Sequence, residues 1–169
     1  SRQYLGEVFD IHTGKIDESK RPHKVFYKDD IYVVGVTDNN IGIISKYNDK
    51  GKLLDTSKYK YTDDLGFTGI VCYDKHFYVT GGKKNVETTD VDAVIIKYER
   101  DLDIDEEVTY EDKGFERFNQ VIVDKNNNIV VVGTTAEVNK VDSSNQITMI
   151  SDFYSLAIGE PIAISALHG

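Results

Sequence analysis

A run of aromatic and β-branched residues ending in glycine occurs three times in this chain: "DDIYVVGVTDNN" (residues 29–40), "KHFYVTGGKKN" (75–85) and "NNIVVVGTTAE" (127–137). The anchor glycines, Gly35, Gly81 and Gly133, are spaced 46 and 52 residues apart. A period near fifty holds four short strands and their turns, which is the content of one β-propeller blade. No stretch of a dozen residues keeps apolar positions three and four apart, so helices are not expected.

The other half of each period repeats as well. "IGIISKYNDKGKLLDTSKYKYTDDLG" (41–66), "DAVIIKYERDLDIDEEVTYEDKG" (92–114) and "QITMISDFYSLAIGEPIAISALHG" (146–169) each run apolar strand, polar turn, second strand, glycine. The N-terminal "YLGEVFDIHTGKIDESKR" (4–21) matches this half alone, with "FDIHTGKID" over "YNDKGKLLD". The expected fold is therefore all-β: a β-propeller segment of about three and a half four-stranded blades. Residues 1–21 would be an outer half-blade, and 22–66, 67–114 and 115–169 whole blades. Inner strands such as "IYVVGV" are apolar on both faces and should be buried on both; outer strands such as "KYKY" alternate.

A closed ring takes roughly four to eight blades, and this pattern opens on an outer half-blade and closes on a fourth strand. The expectation is an incomplete ring, closed by missing sequence or by another chain, with a homo-oligomer as one route. Uncovered blade faces would be apolar patches and an unfinished sheet edge would invite pairing.

The pattern resembles the seven-bladed β-propeller (SBBP) repeat family of bacterial, often cell-surface proteins. Its units read approximately A-I-A-V-D-x-x-G-N-I-Y-V-T-G followed by D-A-F-V-A-K-Y-D-x-x-G-x-L. Here "VIVDKNNNIVVVG", "IVCYDKHFYVTG", "DAVIIKYERDLDI" and "IISKYNDKGKLL" fit it. The chain departs from it at "ERDLD" (99–103), where glycine is usual, and matches least in "MISDFYSLAIGEP". The resemblance implies a propeller and an extracellular or cell-surface setting, and says almost nothing about activity.

Charge narrows the partners. With 29 acidic against 20 basic side chains the net charge is -9, which repels phosphate backbones and anionic headgroups, so nucleic acid is not an expected partner. No segment approaches the ~20 apolar residues of a membrane helix, so no membrane insertion is expected. Cys72 is the single cysteine; it can form neither an internal disulfide nor a cysteine metal cluster, and its apolar neighbours predict an inert buried thiol.

No catalytic residue emerges. His12, His23, His76 and His168 show no ligand spacing, and nucleophile elbows and phosphate loops are absent. "DLDIDEE" (101–107) would set Asp101, Asp103 and Asp105 on one face if extended; it reads as a solvated outer strand, with calcium as the alternative. "DKNNN" (124–128) begins like a calcium loop, but its twelfth position is Thr135 rather than glutamate, so a hairpin turn is expected. The long connections 82–92 and 134–146 would share the channel mouth with His23, Phe67, Thr68, Arg117 and Asn119, the candidate ligand-binding residues for a protein or a glycan. Arg117 is the lone bidentate donor there, unless it pairs with Glu116 or another local carboxylate. The function read from these features is a non-enzymatic interaction scaffold. A propeller-type glycosidase or lyase, which needs two carboxylates ~5–10 Å apart, and a structural assembly unit are the alternatives.

Overall fold

The structure, a computed structural model, describes residues 9–10, 15–16, 23–88, 90–111, 114–141, 147–157 and 160–163, with side chains described only between residues 24 and 134. The chain is all-β. Among the described residues there are fourteen strands and no helix: β1 (Phe9–Asp10), β2 (Lys15–Ile16), β3 (His23–Tyr27), β4 (Asp30–Val36), β5 (Gly42–Asn48), β6 (Leu53–Tyr59), β7 (Thr62–Tyr73), β8 (His76–Lys84), β9 (Val91–Tyr98), β10 (Ile104–Tyr110), β11 (Phe115–Val123), β12 (Ile129–Val141), β13 (Ile147–Ala157) and β14 (Glu160–Ala163). β1 and β2 pair as a hairpin. The rest form three antiparallel meanders in chain order: β3 to β6, β7 to β10 and β11 to β14. A single parallel bridge, Phe115 to Val91, joins the second and third meanders into one sheet. No sheet closes on itself among the described residues.

The turns follow from local chemistry. β3–β4 and β7–β8 are joined by two residues each, with positive φ at Lys28 (54°), Asp74 (46°) and Lys75 (68°). β5–β6 and β11–β12 use five-residue turns closed by an Asx side chain. Asn48 Oδ1 accepts from the Lys50 and Lys52 amides at 3.0 and 2.8 Å, and Asp124 Oδ1 accepts from the Asn126 and Asn128 amides, both at 2.8 Å. "DKNNN" is therefore a hairpin turn, and the bonds from the Asn128 amide and side chain, then from the Asn126 amide, hold the Asp124 carboxyl below its ordinary value. In the first of these turns Gly51 takes the left-handed conformation (φ 76°) that closes it. In β9–β10 the same position is Leu102, at φ 67°. A leucine there costs about 1 kcal/mol, which is offset because its side chain is buried in the core.

The meanders stack through their faces. One apolar cluster joins Tyr32, Val34 and Ile44 of the first meander to Phe67, Phe77, Val79, Val94, Ile96 and Tyr98 of the second; Tyr32 stacks on Phe77 at 3.8 Å. A second cluster joins Ala93 and Ile95 of the second meander to Phe118, Val121, Ile129 and Val131 of the third. Residues 91–96 of β9 are consequently buried without a break. Each large apolar side chain so covered contributes roughly 1.5–3 kcal/mol. Two-face burial was expected of the inner strands; it occurs instead on β9, a third strand, whereas on β4 Tyr32 and Val34 are buried and Ile31 and Val33, on the other face, are partly exposed.

The anchor glycines have a steric cause. β7 and β11 each carry a bulge beside a phenylalanine: Phe67 pairs with Gly81 and Phe118 with Gly133, and the next register positions are Gly69 and Gln120. The carbonyl preceding each phenylalanine presses on the facing glycine. A Cβ on Gly81 would sit 2.8 Å from Gly66 O, and one on Gly133 would collide with Arg117 O.

Two expectations need correction. The connections expected as loops over 82–92 and 134–146 are strand in part, since β8 continues to Lys84, β9 begins at Val91 and β12 continues to Val141; backbone pairing persists there irrespective of the polar side chains. The run "DLDIDEE" is not extended from its start, because residues 99–103 form the Leu102 turn. Gly81→Ala should lower the unfolding free energy by about 1–3 kcal/mol, read from the urea midpoint, because the backbone facing it must move.

Candidate functional site

The residues expected at the channel mouth come mainly from the first strands of the meanders. His23 opens β3 opposite Val34; its side chain lies outside the described residues, as do His12 and His168 entirely. Phe67 is buried between the first two meanders, stacked on Tyr59 at 5.9 Å and edge-on to Tyr98 at 6.3 Å. The Thr68 hydroxyl donates to Phe118 O at 2.5 Å and lies 3.2 Å from Thr80 Oγ1. Phe67 and Thr68 thus serve packing between meanders. Asn119 is the extra residue of the β11 bulge and is partly exposed.

Arg117 meets a carboxylate that is distant in sequence. Its Nε donates to Asp63 Oδ2 at 2.6 Å and its Nη2 contacts the same oxygen. Asp63 is buried, and its other oxygen accepts from the Leu65 amide at 3.0 Å. Gly82 makes room for this carboxylate, since a Cβ there would approach Asp63 Oδ2 to 2.6 Å. The pair pins β11 of the third meander to the start of β7, so the donor singled out from sequence is committed to the fold.

At the opposite end of the second meander, Asp101 and Asp103 lie in the turn and only Asp105 is in β10. These three therefore do not share one strand face as expected. Asp105 is the extra residue of a bulge between Ile104 and Glu106. Its Oδ2 is 2.6 Å from Lys97 Nζ, and this hydrogen bond holds the Asp105 carboxyl below the usual range.

Asp105 instead converges with His76 and Glu99: one nitrogen or oxygen atom from each lies within 4.8 Å of the other two. His76 Nε2 is 3.1 Å from Glu99 Oε1, and Nδ1 is 2.8 Å from Asp74 O. Among the described residues this is the one cluster of three His, Cys, Asp or Glu side chains with metal-ligand spacing. Spacing rules applied along a single segment miss it because its members come from β8, the β9–β10 turn and β10. Only the register reveals it: Phe77 pairs with Tyr98, so His76 falls beside Glu99.

Two clefts open at matching places in successive meanders. One, of about 280 Å³, is lined by Tyr27, Tyr32 and Lys46 with Arg100; the other, of about 240 Å³, by Tyr73, Tyr78 and Lys97 with Asn127 and Asn128. Burial raises the hydroxyl pKa of both Tyr32 and Tyr78, so these groups stay protonated hydrogen-bond donors. Each cleft offers aromatic rings, hydroxyls and an ammonium group, but no nucleophile held by a base.

No protein-family model matches this chain, and no curated protein matches it. The Arg117–Asp63 pair makes a direct prediction. Arg117→Met should cost about 3 kcal/mol by leaving Asp63 buried and unpaired. Adding Asp63→Asn should recover more than about 1 kcal/mol of that loss in a double-mutant cycle by urea unfolding.

Proposed function

We propose that the chain is part of a β-propeller serving as a non-enzymatic interaction scaffold, its meanders acting as blades that further blades extend. The observation that supports this is the contrast between covered and uncovered faces. The second meander is packed on both sides, as an internal blade would be, while the outer faces of its neighbours keep apolar residues in solvent.

On the first meander, pairing aligns Phe26, Ile31, Tyr47 and Leu53 in one row across four strands. Its two ends are open, Phe26 65% and Leu53 43% exposed, while Tyr47 within it is buried at 6%. On the third, Ile122 (54%) and Val132 (44%) lie on the face turned away from the second meander, with Val130 between them in register. Single exposed apolar residues are ordinary, but aligned rows on two sheet faces mark surfaces made for contact. The occupant that suits them is another blade of the same kind, from further sequence or a second copy.

Protein or glycan partners belong to the same proposal, and the paired tyrosine-lysine clefts are where they would meet the scaffold. Tyrosine rings and hydroxyls suit the faces and hydroxyls of sugars or an exposed peptide edge. The secreted or surface setting implied by the SBBP resemblance completes the reading.

Analytical ultracentrifugation tests it. The chain should sediment as more than one copy at micromolar concentration, and Phe26→Ser with Ile122→Ser should return it to monomer mass without loss of β signal. A wild-type chain that stays strictly monomeric and soluble would refute the blade-face account.

A further inference from the structure

The side-chain cluster at the turn end of the second meander carries chemistry that the scaffold does not require. We propose that His76, Glu99 and Asp105 bind a divalent transition-metal ion, with zinc(II) the species their donors fit.

The donor set is one imidazole nitrogen and two carboxylate oxygens. Imidazole selects zinc and its neighbours over calcium, which takes about six to eight oxygen ligands. Ligands sharing an ion at ~2.1 Å lie about 3–3.5 Å apart, and the three atoms here are already within 4.8 Å of one another. Glu99 is 46% exposed, so its side chain has room to adjust. The partial exposure of His76 and Asp105, 24% and 39%, leaves coordination positions for water.

Hydrogen bonding orients the imidazole for this task. Asp74 O is a carbonyl and can only accept, so the contact at 2.8 Å places a proton on His76 Nδ1. Nε2 then points at Glu99 Oε1 from 3.1 Å, a contact that a proton on Nε2 closes as a hydrogen bond and that a bound metal ion would replace. A ring nitrogen anchored to a backbone carbonyl with the other aimed at the ion is the usual support of a metal-binding histidine.

The first meander shows that the fold does without these residues. In the same register its positions are Asp30 opposite Asn48, with Leu54 as the bulge residue. Among the described residues the cluster occurs only in the second meander. Lys97 is the built-in competitor: its Nζ, 2.6 Å from Asp105 Oδ2, leaves the other carboxylate oxygen for the ion.

The test is isothermal titration of the metal-stripped full chain with zinc chloride, followed by cobalt(II) as a visible-absorption probe. The expected result is one saturable site per chain with cobalt bands of nitrogen and oxygen ligation. His76→Gln and Glu99→Gln should each weaken zinc by roughly tenfold or more, and Lys97→Met should tighten it, with circular dichroism unchanged. A zinc affinity that neither His76→Gln nor Glu99→Gln lowers by more than about threefold, or the lack of any saturable site, overturns the proposal.

Discussion

The interaction on which the rest depends is the burial of β9 on both faces. A single four-stranded meander has one apolar face too many for water, and stacking is the way such sheets cover it. Here the second meander takes the first on one side and the third on the other. That arrangement explains the unbroken burial of residues 91–96, where an alternating strand would read buried and exposed in turn. It also explains why the close approach at Gly81 and Gly133 recurs: the bulged first strands bring a carbonyl onto the facing strand at the level where the phenylalanines enter the core.

Burying two faces leaves polar groups that must find partners, and their partners are in the neighbouring meander. Arg117 reaches Asp63, the Thr68 hydroxyl reaches Phe118 O, and Tyr59 donates to Glu107 Oε2 at 2.9 Å while Lys83 Nζ approaches Oε1 at 2.5 Å. Burial, reinforced by the Glu107 charge, pushes the Tyr59 hydroxyl far above its ordinary pKa, so it remains a donor. Tyr98 is the exception: its hydroxyl is buried with no hydrogen-bond partner among the described residues. Its ring supplies packing, and the orphaned hydroxyl costs about 1–3 kcal/mol of that gain.

The parts legible in the sequence are those set by local chemistry. Aromatic and β-branched runs ending in glycine announce strands, and Asn48, Gly51 and Asp124 announce turns because side chain and φ act within five residues. Strand extents were less legible. "GKK" (82–84) and "TTAEVNKV" (134–141) look like loops by composition, yet both are strand, because backbone hydrogen bonds do not consult the side chain. The departure from glycine at Leu102 was visible as a break in pattern, while the burial that offsets its strain was not. Arg117 stood out as a donor, but its partner is 54 residues away, and the His76 cluster depends on the pairing of β8 with β9, which sets His76 beside the β9–β10 turn. Long-range pairing of this kind leaves no spacing to search for.

Amide hydrogen exchange tests the two-face packing most directly. β5 and β9 are both third strands, hydrogen-bonded to a neighbour on each side; among the described residues an apolar cluster between meanders lies on each face of β9 and on one face of β5. The account predicts that the amides of β9, Val91–Tyr98, exchange more slowly than those of β5, Gly42–Asn48. Equal protection of the two strands, or faster exchange in β9, would contradict it.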